Sequence, residues 1–180
     1  YYFFTRKGDE TIVTNQIKFS VKLLGATIFQ VEGYGEEKYI KDQLISYESK
    51  TLQNDKEKFV NLVFDENKFN VKGSSYSGEA SINNIVGNWW NHKILQTDSQ
   101  ISPISGSIKK QVVTFVGKEK IEQYGKTYNV NRFTLKSKDM SLPKDKKLDF
   151  NIWYEEETAQ IIRVSYSRMG NWEYRLKNFE

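Results

Sequence analysis

A single histidine, His92, limits the acid–base chemistry open to this 180-residue chain. A catalytic triad would have to rest on it, because imidazole is the side chain whose proton exchanges near neutral pH. No serine sits in a G-x-S-x-G turn, and Gly73 to Gly78 is merely small and polar. Cysteine is absent, which excludes thiolate catalysis, thiol redox chemistry and Cys-based zinc or iron–sulfur sites. A lone histidine with no carboxylates placed beside it makes a poor metal ligand set. Carboxylates do cluster, at Glu36-Glu37 and at Glu155-Glu156-Glu157. Adjacent side chains of a strand point to opposite faces, so these neighbours read as charged edges and turns, not as the acid and base of one site. Neither G-x-G-x-x-G nor a P-loop occurs, which leaves no loop to cradle a nucleotide. The sequence therefore predicts a protein that is not an enzyme and that carries no cofactor and no metal.

The aromatic and aliphatic residues Trp89, Trp90, Ile94, Phe150, Ile152 and Trp153 are the more informative set. On a bent sheet such side chains line an apolar cavity for an acyl chain or other lipid-like ligand, or they fill that cavity themselves as core. Both readings stand at this level. Arg132 beside Phe133 and Arg175 beside Tyr174 pair cations with rings in the manner of single-strand nucleic-acid surfaces. The net charge of +4 and pI near 9.0 point the same way. Arginine, however, occurs only at 6, 132, 163, 168 and 175, and the lysines are dispersed among Asp and Glu, so nucleic acid is not an expected partner. No apolar run is long enough to span a membrane.

The elements that must position these residues read as strands. Leu148, Phe150, Ile152 and Tyr154 share one face, as do Ile162, Val164 and Tyr166, and then Trp172, Tyr174 and Leu176, a period of two. The polar run Glu155 to Gln160 and the group Met169-Gly170-Asn171 supply the hairpin turns. Upstream, Tyr1 to Phe4 leads through a turn at Arg6 to Asp9 into a long strand from Thr11, broken at Gly25, with Ile17, Phe19, Val21 and Leu23 on one side. Ile28 to Glu32 continues, Gly33-Tyr34-Gly35 bends the backbone, and Lys38 to Lys41 pairs with Leu44 to Thr51 across Asp42-Gln43. Asn54-Asp55 turns into Lys58 to Phe64, and Asp65 to Lys68 turns into Phe69 to Lys72. Strands at roughly 8- to 12-residue spacing indicate a sandwich or barrel, not βαβ units.

From about Gly73 to Lys109 that rhythm stops. The stretch is too long for an ordinary connection and carries Trp89, Trp90, Ile94 and Leu95, so it reads as a lid, with a short helix over Asn88 to Leu95 packed on the sheet. Gln111 to Gly117 is apolar on both sides, which predicts a strand covered on both faces. Thr127 to Leu135 changes phase, from Tyr128 and Val130 to Phe133 and Leu135, which predicts a β-bulge near Asn131-Arg132 and a bend. The expected fold is all-β with minor helix, an antiparallel meander that the bulge bends; the resemblance given below implies its strongly curved, open half-barrel or barrel form. Its concave face is covered by the 73–109 segment, in one domain spanning 1–180.

Gly117 to Glu122, Gly125-Lys126-Thr127-Tyr128, Phe133-Thr134-Leu135, Asp149 to Tyr154 and Gly170-Asn-Trp-Glu-Tyr174-Arg-Leu176 together resemble an uncharacterised family of small exported bacterial proteins. That family runs "G-x-E-x-I", a turn, a strand, "x-x-W-Y-D" and a closing "G-x-x-x-Y-x-L"; here Glu155 stands where the motif has Asp. Glu37, Leu44, Ser49-Lys50-Thr51 and Asn54 are similar to its upstream region, with Tyr39, Gln43 and Asp55 replacing a Trp and two Gly. The family is distantly similar to the periplasmic lipoprotein-carrier group, an open half-barrel whose apolar concave face is covered by helical or loop elements. The resemblance implies that fold and an exported, periplasmic location, to which a chain opening at Tyr1 after removal of a signal peptide conforms. It supplies no activity. The expectation for function is a non-catalytic envelope protein that binds or carries a lipid-like ligand in the concavity, through the six residues named above. The alternative is a structural or protein-interaction module of the envelope that fills its own core and meets another envelope protein.

Overall fold

In the computed structural model, which describes residues 1–144, 146–167 and 171–177, strand makes up 69% and helix almost nothing. All pairings given for the strands are antiparallel. One sheet curls through 213° into an open half-barrel, the form that the family resemblance implies, built of the antiparallel strands that the alternation predicts. By contact the chain forms two compact units, Tyr1–Val86 with Ile101–Ile108, and Gly87–Gln100 with the chain from Lys109 onward.

The first unit is a meander of β1 (Tyr2–Lys7), β2 (Glu10–Leu23), β3 (Ala26–Ile40), β4 (Gln43–Gln53), β5 (Lys56–Asp65), β6 (Lys68–Gly73) and β7 (Ser77–Ser81), side by side in chain order. Turn chemistry sets its register. Leu24-Gly25 and Asn54-Asp55 take positive φ at both positions, which matches the right-handed twist of the strands they join. The first turn falls within its expected residues, β1 running on through Arg6 and Lys7 to turn at Gly8-Asp9. β3 turns into β4 at Lys41-Asp42, one residue before the predicted Asp42-Gln43, and the register of this pair shifts between Lys38 and Tyr39. Val13, Glu37, Tyr47, Leu62 and Val71 form one cross-strand row, none more than 4% exposed. Residues 101–108 pack on this buried face: Tyr47 Oη and Ser49 Oγ both donate to the Pro103 carbonyl, at 2.9 and 2.7 Å. Glu37 is kept in the row by the Tyr39 hydroxyl, which donates to Oε2 at 2.6 Å.

The 73–109 stretch contains β7, β8 (Ile85–Val86), a 3-10 helix at His92–Gln96 and β9 (Ser99–Ile101). The helix expected over Asn88 to Leu95 is this single 3-10 turn, capped by Asn91, whose Oδ1 accepts from the Lys93 amide at 3.1 Å.

In the second unit β10 (Ile108–Gln123), β11 (Lys126–Ser137), β12 (Asp149–Glu155), β13 (Gln160–Ser167) and β14 (Asn171–Arg175) follow as neighbours. The turn expected at Met169-Gly170-Asn171 falls on residues 168–170, outside the described residues. Two expectations are corrected here. The bulge lies on β10, between Phe115 and Gly117, opposite Phe133 and Arg132, and not within Asn131-Arg132 of β11. An extra residue on one strand shifts the phase of its partner's environment, so the sequence of β11 carried the signal of a defect in β10. Nor is Gln111 to Gly117 covered on both faces, since Val112, Phe115 and Val116 are each about half exposed, at 48%, 53% and 50%. Apolar residues on both sides of a strand mark burial only where both sides find a cover.

Candidate functional site

The six residues singled out from the sequence all fall in the second unit, but not on one surface. Phe150 and Ile152 occupy alternate positions of β12 and face the same way, with Leu135 and Phe133 beside them on β11 and Tyr166 and Val164 on β13. Trp89 packs edge-on against Phe150, centroids 4.9 Å apart, and Phe150 stacks on Tyr166 at 4.6 Å. Ile94, Ile152 and Leu135 are 0% exposed. Gln111 ties the covering segment down: its Nε2 donates to the Ile94 carbonyl at 2.9 Å and the Thr97 carbonyl at 3.1 Å, while its Oε1 accepts from Gln100 Nε2 at 2.6 Å. A buried amide with both ends engaged fixes the segment far more firmly than apolar contact alone. Trp90 is half-buried in the turn that precedes this segment. His92 stacks on Tyr154, centroids 5.5 Å apart, as an aromatic contact of the same cover. Among the described residues no three His, Asp or Glu side chains gather to hold a metal.

Trp153 lies apart from the other five, because its place on β12 turns it to the opposite face. There it joins Ile121, Val130, Ile162, Tyr128 and Leu176. Its Nε1 donates to Glu119 Oε2 at 2.9 Å, and Arg132 and Arg163 flank its ring at 5.4 and 5.6 Å. Arg132, Trp153, Arg163 and Arg175 are consecutive members of one cross-strand row, so the fold brings three of the five arginines together. Their guanidinium groups are used internally. Arg132 bonds Glu119 Oε1 at 3.2 Å and Asn151 Oδ1 at 3.0 Å, Arg163 bonds Gln123 and the Glu122 carbonyl, and Arg175 pairs with Glu173.

The Trp153 hydrogen bond, followed by Arg132, holds the Glu119 carboxyl below its ordinary value of 4.5 against the upward pull of burial. A lowered pKa in the folded state contributes stability above the unfolded value, and that stability is lost as pH falls through the folded one. The carboxyl is 36% exposed, so the effect is modest. In urea titrations run from neutral pH to about pH 3, the Glu119→Gln variant should lose less stability than the native protein. Parallel acid limbs for the two would rule out this role for Glu119.

The described surface includes two cavities of several hundred Å³. One, of about 430 Å³ in the second unit, is walled by Lys118, Lys120, Asn129 and Asn131 and by the Glu155 to Glu157 turn. The other, of about 460 Å³, lies on the outward face of the first sheet and is bounded by Tyr34, Glu36, Glu48, Lys50, Phe59 and Asn61. Two adjacent cross-strand rows build it: Tyr34, Lys50, Phe59, and Glu36, Glu48, Asn61. Tyr34 and Phe59 are 46% and 42% exposed. The Tyr34 hydroxyl donates to Glu36 Oε2 at 2.9 Å, a bond that raises the phenol pKa above 10.0. Glu36 and its sequence neighbour Glu37 do face opposite ways, as strand geometry requires; the carboxylate opposite Glu36 is Glu48, twelve residues on and one strand over. None of these residues except Glu36 was singled out from the sequence. The available signal was aromatic residues standing on the polar phase of their strands, Tyr34 in β3 and Phe59 in β5.

A family model described as a domain of unknown function, DUF6134, matches residues 1–177. No curated protein and no solved structure matches the chain.

Proposed function

We propose, from the premise that the chain belongs to the DUF6134 family of domains of unknown function, that it is a non-catalytic binding module of the bacterial envelope whose core is filled by its own side chains. The observation that carries the reading is the packing of the covering segment. Trp89 lies on Phe150, Ile94 and Ile152 have no accessible surface, and the cover is anchored by Gln111, so the positions that would have held an acyl chain are taken. A carrier needs an apolar opening of a few hundred Å³. Of the openings described here, one is walled largely by Lys, Asn and Glu side chains, and the other carries Glu36, Glu48, Lys50 and Asn61 beside its two rings, so charged groups interrupt the apolar surface in both. The curled sheet supports the likeness to the lipoprotein-carrier group at the level of architecture, and the sequence motifs support an exported location. On this reading the binding function belongs to the surface of the scaffold, with another envelope component as partner.

Native mass spectrometry with organic extraction tests this. Protein purified without detergent from a bacterial host should fly at its bare mass and take up neither fatty-acid nor phospholipid probes. A discrete lipid mass that travels with the chain, and is lost when Trp89 and Trp90 are replaced, would overturn the filled-core reading in favour of a carrier.

A further inference from the structure

We infer that the outward groove of the first sheet is a subsite for a neutral oligosaccharide. The inference rests on the binding-module reading, since a filled core sends any ligand to the surface. The first observation is the Tyr34, Lys50, Phe59 row. Two exposed rings stand two strand spacings apart, about 9.5 Å, close to the span of two linked pyranose units. Aromatic rings offer a flat apolar surface that matches the C–H face of a sugar.

The second observation is the neighbouring row. Glu36 and Glu48 stand directly opposite each other, a placement that destabilises an antiparallel pair, and only Glu36 is compensated, by the Tyr34 hydroxyl. A local choice that conflicts with stability is characteristic of function. The side chains of Glu48, Lys50 and Asn61 make no hydrogen bond or ion pair among the described residues, so acceptors and donors both stand ready around the 460 Å³ cavity. Hydroxyl groups use both kinds. A polyanion would meet the two carboxylates, an acyl chain would desolvate three charges, and Lys50 at the centre of the aromatic row opposes a cationic peptide. A polyhydroxylated, uncharged chain satisfies every group in the groove.

Affinity electrophoresis of the intact chain in native gels containing a soluble β-1,4-glucan, a β-1,3-glucan or a galactomannan provides the test, with a Lys-rich peptide titrated separately. At least one polysaccharide should retard the native protein. The Tyr34→Ala/Phe59→Ala variant should bind that polysaccharide about tenfold more weakly, the scale expected for removing aromatic anchors from a site. Glu48→Gln should weaken binding while raising the melting temperature slightly, because it relieves the opposed carboxylates; a purely structural groove would not separate the two readouts. No retardation in any gel, retardation unchanged in the folded double variant, or salt-sensitive binding of the peptide alone would overturn the inference. Failure here leaves the filled core standing, whereas a lipid found by mass spectrometry sinks the filled core whatever the gels show.

Discussion

Ile152→Ala should lower the stability of the protein by about 2–5 kcal/mol, the cost of deleting a buried branched side chain and leaving a hole behind. The site meets the conditions for the upper half of that range. Ile152 is 0% exposed on the central strand of its meander, level with Phe133 on one neighbour and Val164 on the other. Close-packed interiors relax only partly around a deletion. Urea denaturation should show a lower midpoint with an unchanged slope, which separates lost stability from a changed unfolded state. In a melting experiment the shift corresponds to roughly 2–4 °C for each kcal/mol in a chain of this size. The matched comparison is Phe115→Ala, whose side chain is 53% exposed and should fall within about 0.5 kcal/mol of the native protein. An Ile152→Ala loss below about 1 kcal/mol would mean that the face is open or collapsible, and the filled-core proposal would fall with it.

The other large effect concerns a backbone contact. Gly73→Ala should cost about 1–3 kcal/mol, as overpacking does where neighbours cannot yield. A Cβ at Gly73 would stand 2.6 Å from the Ser105 carbonyl oxygen and 3.0 Å from the Gly106 Cα. Both are main-chain atoms of the segment that covers the buried face of the first sheet, and that same Ser105 carbonyl accepts from the Ser75 amide at 2.9 Å. The methyl group therefore has to push the cover away from the sheet, loosening the Pro103 acceptor of Tyr47 and Ser49. Faster amide exchange at Ser75, Gly106 and their neighbours would report the movement. At Gly117 no atom lies within 4 Å of the added Cβ, and alanine there should be neutral or stabilising by up to about 1 kcal/mol. Equal melting temperatures for Gly73→Ala and the native chain would show that the cover yields freely.

Local chemistry was legible in the sequence because it depends only on nearby residues. Alternation of period two placed Leu148, Phe150 and Ile152 on one face, and it turned Glu36 and Glu37 to opposite sides of β3. Turn-forming residues marked the break at Gly25 and the turn at Asn54-Asp55, where the structure has positive φ. From these the antiparallel meander follows. The same logic could not say which face of a strand finds a cover, so Val112 and Val116 read as core while the structure leaves them half exposed. It assigned the bulge to β11 because a partner strand's extra residue is visible only through register. Trp153 was grouped with Phe150 by proximity in the chain, although one step along a strand is the surest way to put two side chains on opposite faces.

The sequence by itself determined an all-β chain without thiol chemistry, with one histidine and with strands joined by tight turns. Tertiary structure alone decided the rows. Tyr34, Lys50 and Phe59 are separated by sixteen and nine residues, as Arg132, Trp153, Arg163 and Arg175 are by comparable gaps, and they become neighbours only when turn lengths and bulges fix the pairing of each strand. Register is a sum over every turn crossed on the way, and a slip of a single residue reverses the face on which a side chain emerges.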